Sequence, residues 1–134
     1  MLSLAMRRLV LSLCAACLLS ACGGLEPRQG AWVQDTLYFG LSRPQGVVSE
    51  AEWQGFVDTQ VTPRFPEGLT QWEAKGQWRE ADQPLLHEDS RVLQILHPAG
   101  AEAEAKIQAI RAEYKRQFEQ TSVLRVKSGV AVDF

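Results

Sequence analysis

LTQWEAKGQW, residues 69–78, is the stretch on which the fold turns. Thr70, Trp72, Ala74, Gly76 and Trp78 alternate with Gln71, Glu73, Lys75 and Gln77. A period of two belongs to a β-strand, whose successive side chains point to opposite faces of a sheet. Clean alternation also says that one face is buried and the other wet, as in an antiparallel sheet. The expectation is that Trp72 and Trp78 lie in the core, on the side of Phe39, with Glu73 and Lys75 on the helix-free face near its edge.

The elements on either side complete a pattern. In DTLYFGLS, residues 35–42, Leu37, Phe39 and Leu41 alternate with Thr36, Tyr38 and Gly40, a second strand. If the first three pack under helices, Tyr38 points to the opposite, open face. RPQG, residues 43–46, is a turn. SEAEWQGFVDTQV, residues 49–61, opens with Ser49 and Glu52, the spacing of a capping box that satisfies two free N–H groups. Trp53, Phe56, Val57 and Val61 follow helical spacing, and Pro63 ends the helix. After LTQWEAKGQW, READQP (79–84) reads as a hairpin connection. A strand resumes by Ser90 and runs through RVLQILHP. Val92, Leu93, Ile95 and Leu96 give it two partly apolar faces, as a central strand requires. Ala103, Ile107, Ile110, Tyr114 and Phe118 then form the stripe of a long helix, and SVLRVKSGVAVDF (122–134) is a last strand in which Gly129 is a candidate bulge. The order β-α-β-β-α-β predicts a ferredoxin-like α+β sandwich: four antiparallel strands in the spatial order 4-1-3-2, with two helices on one face.

The N-terminus reads as an address. Arg7 and Arg8 precede LVLSLCAACLLSA, residues 9–21, an uncharged apolar run. It is shorter than the roughly 20 residues that span a bilayer core, and its basic start and small-residue end describe a secretory signal. Leu19-Ser20-Ala21-Cys22 resembles the bacterial lipobox, which implies removal of residues 1–21 and acylation of Cys22. Val10 stands where a twin-arginine signal has Phe, so the general export route is favoured. Met6 opens an equally complete signal, MRRLVLSLCAACLLSAC. Gly23 after the acylated cysteine points to the outer membrane, facing the periplasm of the bacterial cell envelope. Residues 22–34 then form a tether reaching roughly 20 Å, and residues 35–134 form a single domain. Cys14 and Cys17 lie within the signal, so their C-x-x-C spacing is set aside, and the mature domain has no disulfide. Twelve basic residues against 16 acidic ones after Cys22 leave a net charge of −4. That balance argues against a nucleic-acid partner, which calls for a basic footprint.

The segments LYFGLS, FVDTQVTPRFPEGLTQWEAKGQW, VLQILHP and KIQAIRAEYKRQFEQTSVLRV together resemble the bacterial domain of unknown function family 3574, over nearly all of residues 36–134. The resemblance implies an exported, often lipid-anchored small α+β domain. It implies no activity, and it supplies no catalytic residues to carry over.

Chemistry is sparse in the residues themselves. His87 and His97 are the only histidines. On one continuous strand they share a face but stand roughly 33 Å apart, too far for one metal. No metal site, no cofactor and no catalytic residue is expected. There is no G-x-S-x-G elbow and no glycine loop that cradles phosphate. Glu50, Glu52, Glu102 and Glu104 sit in first helical turns, where they complement the helix dipole. Trp53, Trp72 and Trp78 could form an aromatic platform, but their spacing favours the core.

Three residues are candidates for ligand binding. Arg64 lies in VTPRFPEGLT, where Pro63 and Pro66 fix φ and force Thr62 and Phe65 toward extended geometry. A rigid hinge explains both prolines, Phe65 as a core plug and Gly68 as a turn, but leaves Arg64 over. It is an internal clamp on a carboxylate or carbonyl, or an anion site, and the clamp is favoured. Tyr38 on the open face and His97 at the end of the central strand are the other two.

Two functions compete. One is a non-catalytic envelope module, tethered to the membrane by lipid, that self-associates as a homodimer or binds an envelope protein or a small ligand. The other is a small dimeric α+β-barrel type enzyme with a pocket on the open sheet face. No nucleophile, base or metal set converges there, which favours the binding module.

Overall fold

The computed structural model describes residues 31–134. The signal at 1–21, Cys22 and the tether up to residue 30 lie outside the described residues. Nine elements follow in order: β1 (Trp32–Gly40), β2 (Ser42–Arg43), β3 (Gly46–Val47), α1 (Glu50–Phe56) continued by a π-helical turn (Val57–Val61), β4 (Thr70–Trp78), β5 (Leu86–Pro98), α2 (Ala101–Gln117) and β6 (Leu124–Val130). The main sheet runs β4-β5-β1-β6, every pair antiparallel. With the short β2–β3 hairpin set aside, that is the ferredoxin-like 4-1-3-2 order read in reverse. Among the described residues no helix is long and apolar enough to cross a membrane.

The first helix starts and stops where its residues dictate. The Ser49 side chain accepts from Glu52 N while the Glu52 carboxylate accepts from Ser49 N, so the capping box closes both ways. The final turn widens, with Thr62 N donating to Val57 O across five residues, immediately before Pro63. Phe65 is buried behind the hinge, and Gly68 takes a φ of 135° that a side chain would resist. Trp53, Phe56, Val57 and Val61 from the first helical segment meet Ile107, Ile110, Tyr114 and Phe118 along the second, over Leu37, Phe39, Leu93 and Ile95 of the sheet. The Phe39 and Tyr114 rings sit 4.7 Å apart edge to face, and Tyr114 Oη donates to Gly40 O at 2.8 Å.

Two boundaries move. β1 starts at Trp32, inside the segment read as tether, because both neighbours extend to meet it: Val33 pairs with His97 on one side and Gly129 on the other. β5 starts at Leu86, four residues before Ser90. Its polar opening HEDS belongs to a two-stranded ribbon wet on one side.

The larger correction concerns the tryptophans. Residues directly opposite in an antiparallel pair share a face. Leu37 is opposite Leu93, and Leu93 opposite Gln71; Tyr38 is opposite Val92, and Val92 opposite Trp72. Trp72 and Trp78 therefore lie with Tyr38 on the helix-free face, not with Phe39, and are 41% and 47% exposed. Glu73 and Lys75 take the helix side. The alternation within β4 is as expected, but its apolar set faces the other way. At this edge the helix layer meets the sheet through polar groups: Trp53 Nε1 donates to Gln71 Oε1 at 2.7 Å, and Arg91 bridges Glu73 and Glu50.

Phe56→Ala should therefore cost about 3–5 kcal/mol, the range for a deleted core aromatic, while Trp72→Ala costs less than about 2 kcal/mol. Urea unfolding at low protein concentration measures both.

Candidate functional site

Two regions carry the candidate residues. The first is the helix-free face. Its strand positions are Trp32, Gln34, Thr36, Tyr38 and Gly40 on β1; Thr70, Trp72, Ala74, Gly76 and Trp78 on β4; Leu86, Glu88, Ser90, Val92, Gln94, Leu96 and Pro98 on β5; and Leu124, Val126, Ser128 and Val130 on β6. Glu88 is the sole charged residue among them. All the other charged strand residues of the sheet, Asp35, Glu73, Lys75, Asp89, Arg91, Arg125 and Lys127, take the helix side. A sheet face left to water normally has the opposite distribution, apolar inward and charged outward. Trp72, Val92, Tyr38 and Leu124 form one row across all four strands. Val92 is fully buried in that row although no helix of the described residues covers it, and Leu124 at the far end is 60% exposed. Glu88 is occupied: its Oε1 accepts from Ser42 N at 3.1 Å, and it lies over Gly40, where a Cβ would stand 2.5 Å from that oxygen.

The second region is at one end of the sheet, beside the start of α2, where the ends of β1 and β5 contribute residues from both faces. A cavity of about 440 Å³ is lined by Arg64, Phe65, His97, Trp32 and the start of α2. Arg64 and His97 thus share a cavity. Tyr38 is on the opposite face of the sheet, so an open-face pocket cannot combine it with His97. The cause is strand parity: His97 is opposite Val33, an odd-numbered position of β1, and Tyr38 is even.

Both side chains are engaged. Arg64 Nη1 donates to Gln60 O at 2.6 Å, clamping a carbonyl of the widened helical turn. The His97 ring is nearly buried, tilted against Phe65 at 5.4 Å, with Nδ1 at 2.8 Å from Pro98 O and Nε2 at 2.8 Å from Asp35 Oδ2. Asp35 is fully buried and takes a two-pronged bond from Arg125, Nε to Oδ1 at 2.6 Å and Nη2 to Oδ2 at 2.8 Å. Arg125 also holds Glu104 of α2, Nη2 to Oε2 at 2.9 Å, and Lys127 Nζ reaches the same oxygen at 2.9 Å. This chain of charges joins both central strands to β6 and α2. Asp35 reads in the sequence as a domain edge, and its partners lie 62 and 90 residues away, so no local signal finds the network. His87 is exposed at the far end of β5, and no group of three or more metal-ligating side chains occurs among the described residues.

Breaking the network should be costly where it is buried. Arg125→Ala takes the guanidinium from the buried Asp35, leaving it only the bond to His97, and should lose about 3–5 kcal/mol, whereas Lys127→Ala, at the half-exposed end, should lose less than about 1 kcal/mol. Denaturant unfolding at pH 7 separates the two. Hydrogen bonds from Arg125, then Gln108 and Lys127, hold the Glu104 carboxyl well below the usual carboxylate range. Its contribution is fully present above the ordinary value of 4.5 and is lost as pH falls below it. Glu104→Gln should flatten the fall of stability with acid over that window.

Comparison with known proteins starts from the fold. A phage SAM lyase solved in complex with S-methyl-5'-thioadenosine is similar at a TM-score of 0.61 and 16% identity, over 79% of this chain and 87% of that one. The same enzyme's apo structure gives 0.57 and 17%, over 79% and 86%. CutA from Synechococcus elongatus PCC7942 gives 0.50 and 8%, over 75% and 78%. At these identities the likeness is one of fold. No curated protein matches the sequence. Residues 34–134, which hold the helices, the core and nearly all of the sheet, match the family described as Protein of unknown function (DUF3574), and the chain belongs to that family.

Proposed function

We propose that this chain is a non-catalytic binding module of the bacterial cell envelope, held to the membrane by lipid on Cys22, and that it self-associates through the helix-free face of its sheet. The observation that carries the reading is the inverted charge pattern. The face without helices is apolar and uncharged apart from Glu88, while the face under the helices carries the charges at its margins. Covering such a face removes apolar surface from water at about 25 cal/mol per Å².

A second copy of the chain is the occupant that fits. The chain is acidic overall, with −4 after Cys22, so two copies repel through most of their surface. Pressed together at this face they meet almost no like charge, and a pair related by a two-fold axis uses the same patch twice. Four strands about 4.8 Å apart and about seven residues long outline on the order of 450 Å² per copy. Two copies therefore approach the roughly 1,000 Å² that a specific interface needs. The competing reading, an α+β-barrel type enzyme with its pocket on this face, would use the same pairing. Among the described strand residues the titratable side chains on that face are Tyr38 and Glu88, and the Glu88 carboxylate accepts from Ser42 N.

Light scattering on a soluble chain beginning at Gly30 should find an oligomer, and Leu124→Lys, at an exposed position that leaves the core intact, should return it to monomers. A monomeric parent chain sinks the self-association reading. Membrane fractionation and intact mass test the anchor: Cys22→Ala should abolish acyl mass and release the protein from membranes, and a variant that stays acylated and membrane-bound ends that part of the proposal.

A further inference from the structure

The sheet is not the whole of the nearly uncharged face. β1 stops at Gly40, opposite Ser90. Beyond that point Lys75–Trp78 pair only with Leu86–Asp89, so the β4–β5 hairpin continues as a two-stranded arm past the main sheet. The arm is two-sided. Lys75, Gln77, His87 and Asp89 point to the helix side, and Trp78 and Leu86 point to the same side as the open face. Trp78 is 47% and Leu86 45% exposed, with Leu85 beside them at 42%. A ribbon of two strands has too little to pack against to be stable alone in water. A half-covered tryptophan opposite a leucine at its end is an anchor without a seat.

We infer that the arm of one copy packs on the open face of a neighbouring copy, with Trp78 and Leu86 seated against Leu124 and Val126. This rests on the self-association reading and specifies how it is built. Three observations select the seat. The sheet order places the arm on the β4–β5 side and Leu124 and Val126 on β6 at the opposite edge, so the arm cannot reach them in its own copy. Those two residues are among the most exposed apolar side chains of the sheet, at 60% and 47%. Neither surface has a charged strand residue beyond Glu88, which its own chain occupies. The area agrees: the four-stranded face alone falls just short of a stable interface, and Trp78 by itself adds on the order of 100 Å². An arm at one edge and its seat at the other can close into a pair or a small ring, either of which satisfies every copy.

The test uses the full chain in its membrane. Trp78→Cys in one tagged copy and Val126→Cys in a co-expressed copy should give a covalent two-chain product on mild oxidation. His87→Cys, on the other side of the arm, should give at least tenfold less with the same partner, the unsubstituted chain being the background for Cys22. A product no stronger from Trp78→Cys than from His87→Cys overturns the proposal. A second measurement keeps the two readings apart. Trp78→Lys with Leu86→Lys, outside the core, should weaken association at least tenfold in light scattering of the detergent-extracted chain. If these changes leave association intact while Leu124→Lys abolishes it, the arm is refuted and the open-face reading stands. If Leu124→Lys also leaves it intact, both fall.

Discussion

The pairing of Leu37 with Leu93 across the two central strands is the constraint on which the rest of the molecule depends. Side chains alternate along a strand, so this one pairing assigns every other residue of β1 and β5 to a face, and through them those of β4 and β6. A slip of one residue would exchange the two faces entirely. The register puts Leu37, Phe39, Leu93 and Ile95 under the helices, where Trp53, Phe56, Ile110 and Tyr114 cover them. It equally puts Trp72, Tyr38 and Leu124 on the face opposite both described helices.

Charge follows the same division. Asp35 stands two residues before Leu37 and so points into the helix layer, where an ionised carboxylate is tolerated only with close partners. Arg125 supplies them, because β6 pairs with β1 in a register that puts residue 125 opposite Leu37. Glu104, in the first turn of α2, completes the guanidinium's coordination from above. The network is thus a consequence of register as much as of composition. It anchors the edge strand to α2 through groups that hydrophobic packing could not orient.

The uncharged face and the arm share one physical logic. Exposed sheet edges and faces usually carry lysine, glutamate or proline against chance association. Here the edge strands carry their charges on the helix side, and the helix-free side is left to Trp, Tyr, Leu, Val and small polar residues.

Periodicity, capping and turn chemistry act over a few residues, and what they control was legible. Ser49 and Glu52 announce the start of α1 and Pro63 its end. Alternation in LYFGLS and LTQWEAKGQW announces strands. The sequence of element types, with the rules that connect them, is enough for a ferredoxin-like α+β fold, and the family resemblance agrees. Alternation states that β4 has an apolar face but not which side of the sheet the helices take, since that depends on distant pairings, Gln71 with Leu93 and Leu93 with Leu37. The expectation that Trp72 points inward fails for that reason. Asp35 was read as the edge of a domain rather than the centre of an ion network, because Arg125 is distant in the chain and adjacent only after β6 pairs with β1. Local rules determined the elements of this protein, and the pairing of distant strands decided which of its surfaces remained open.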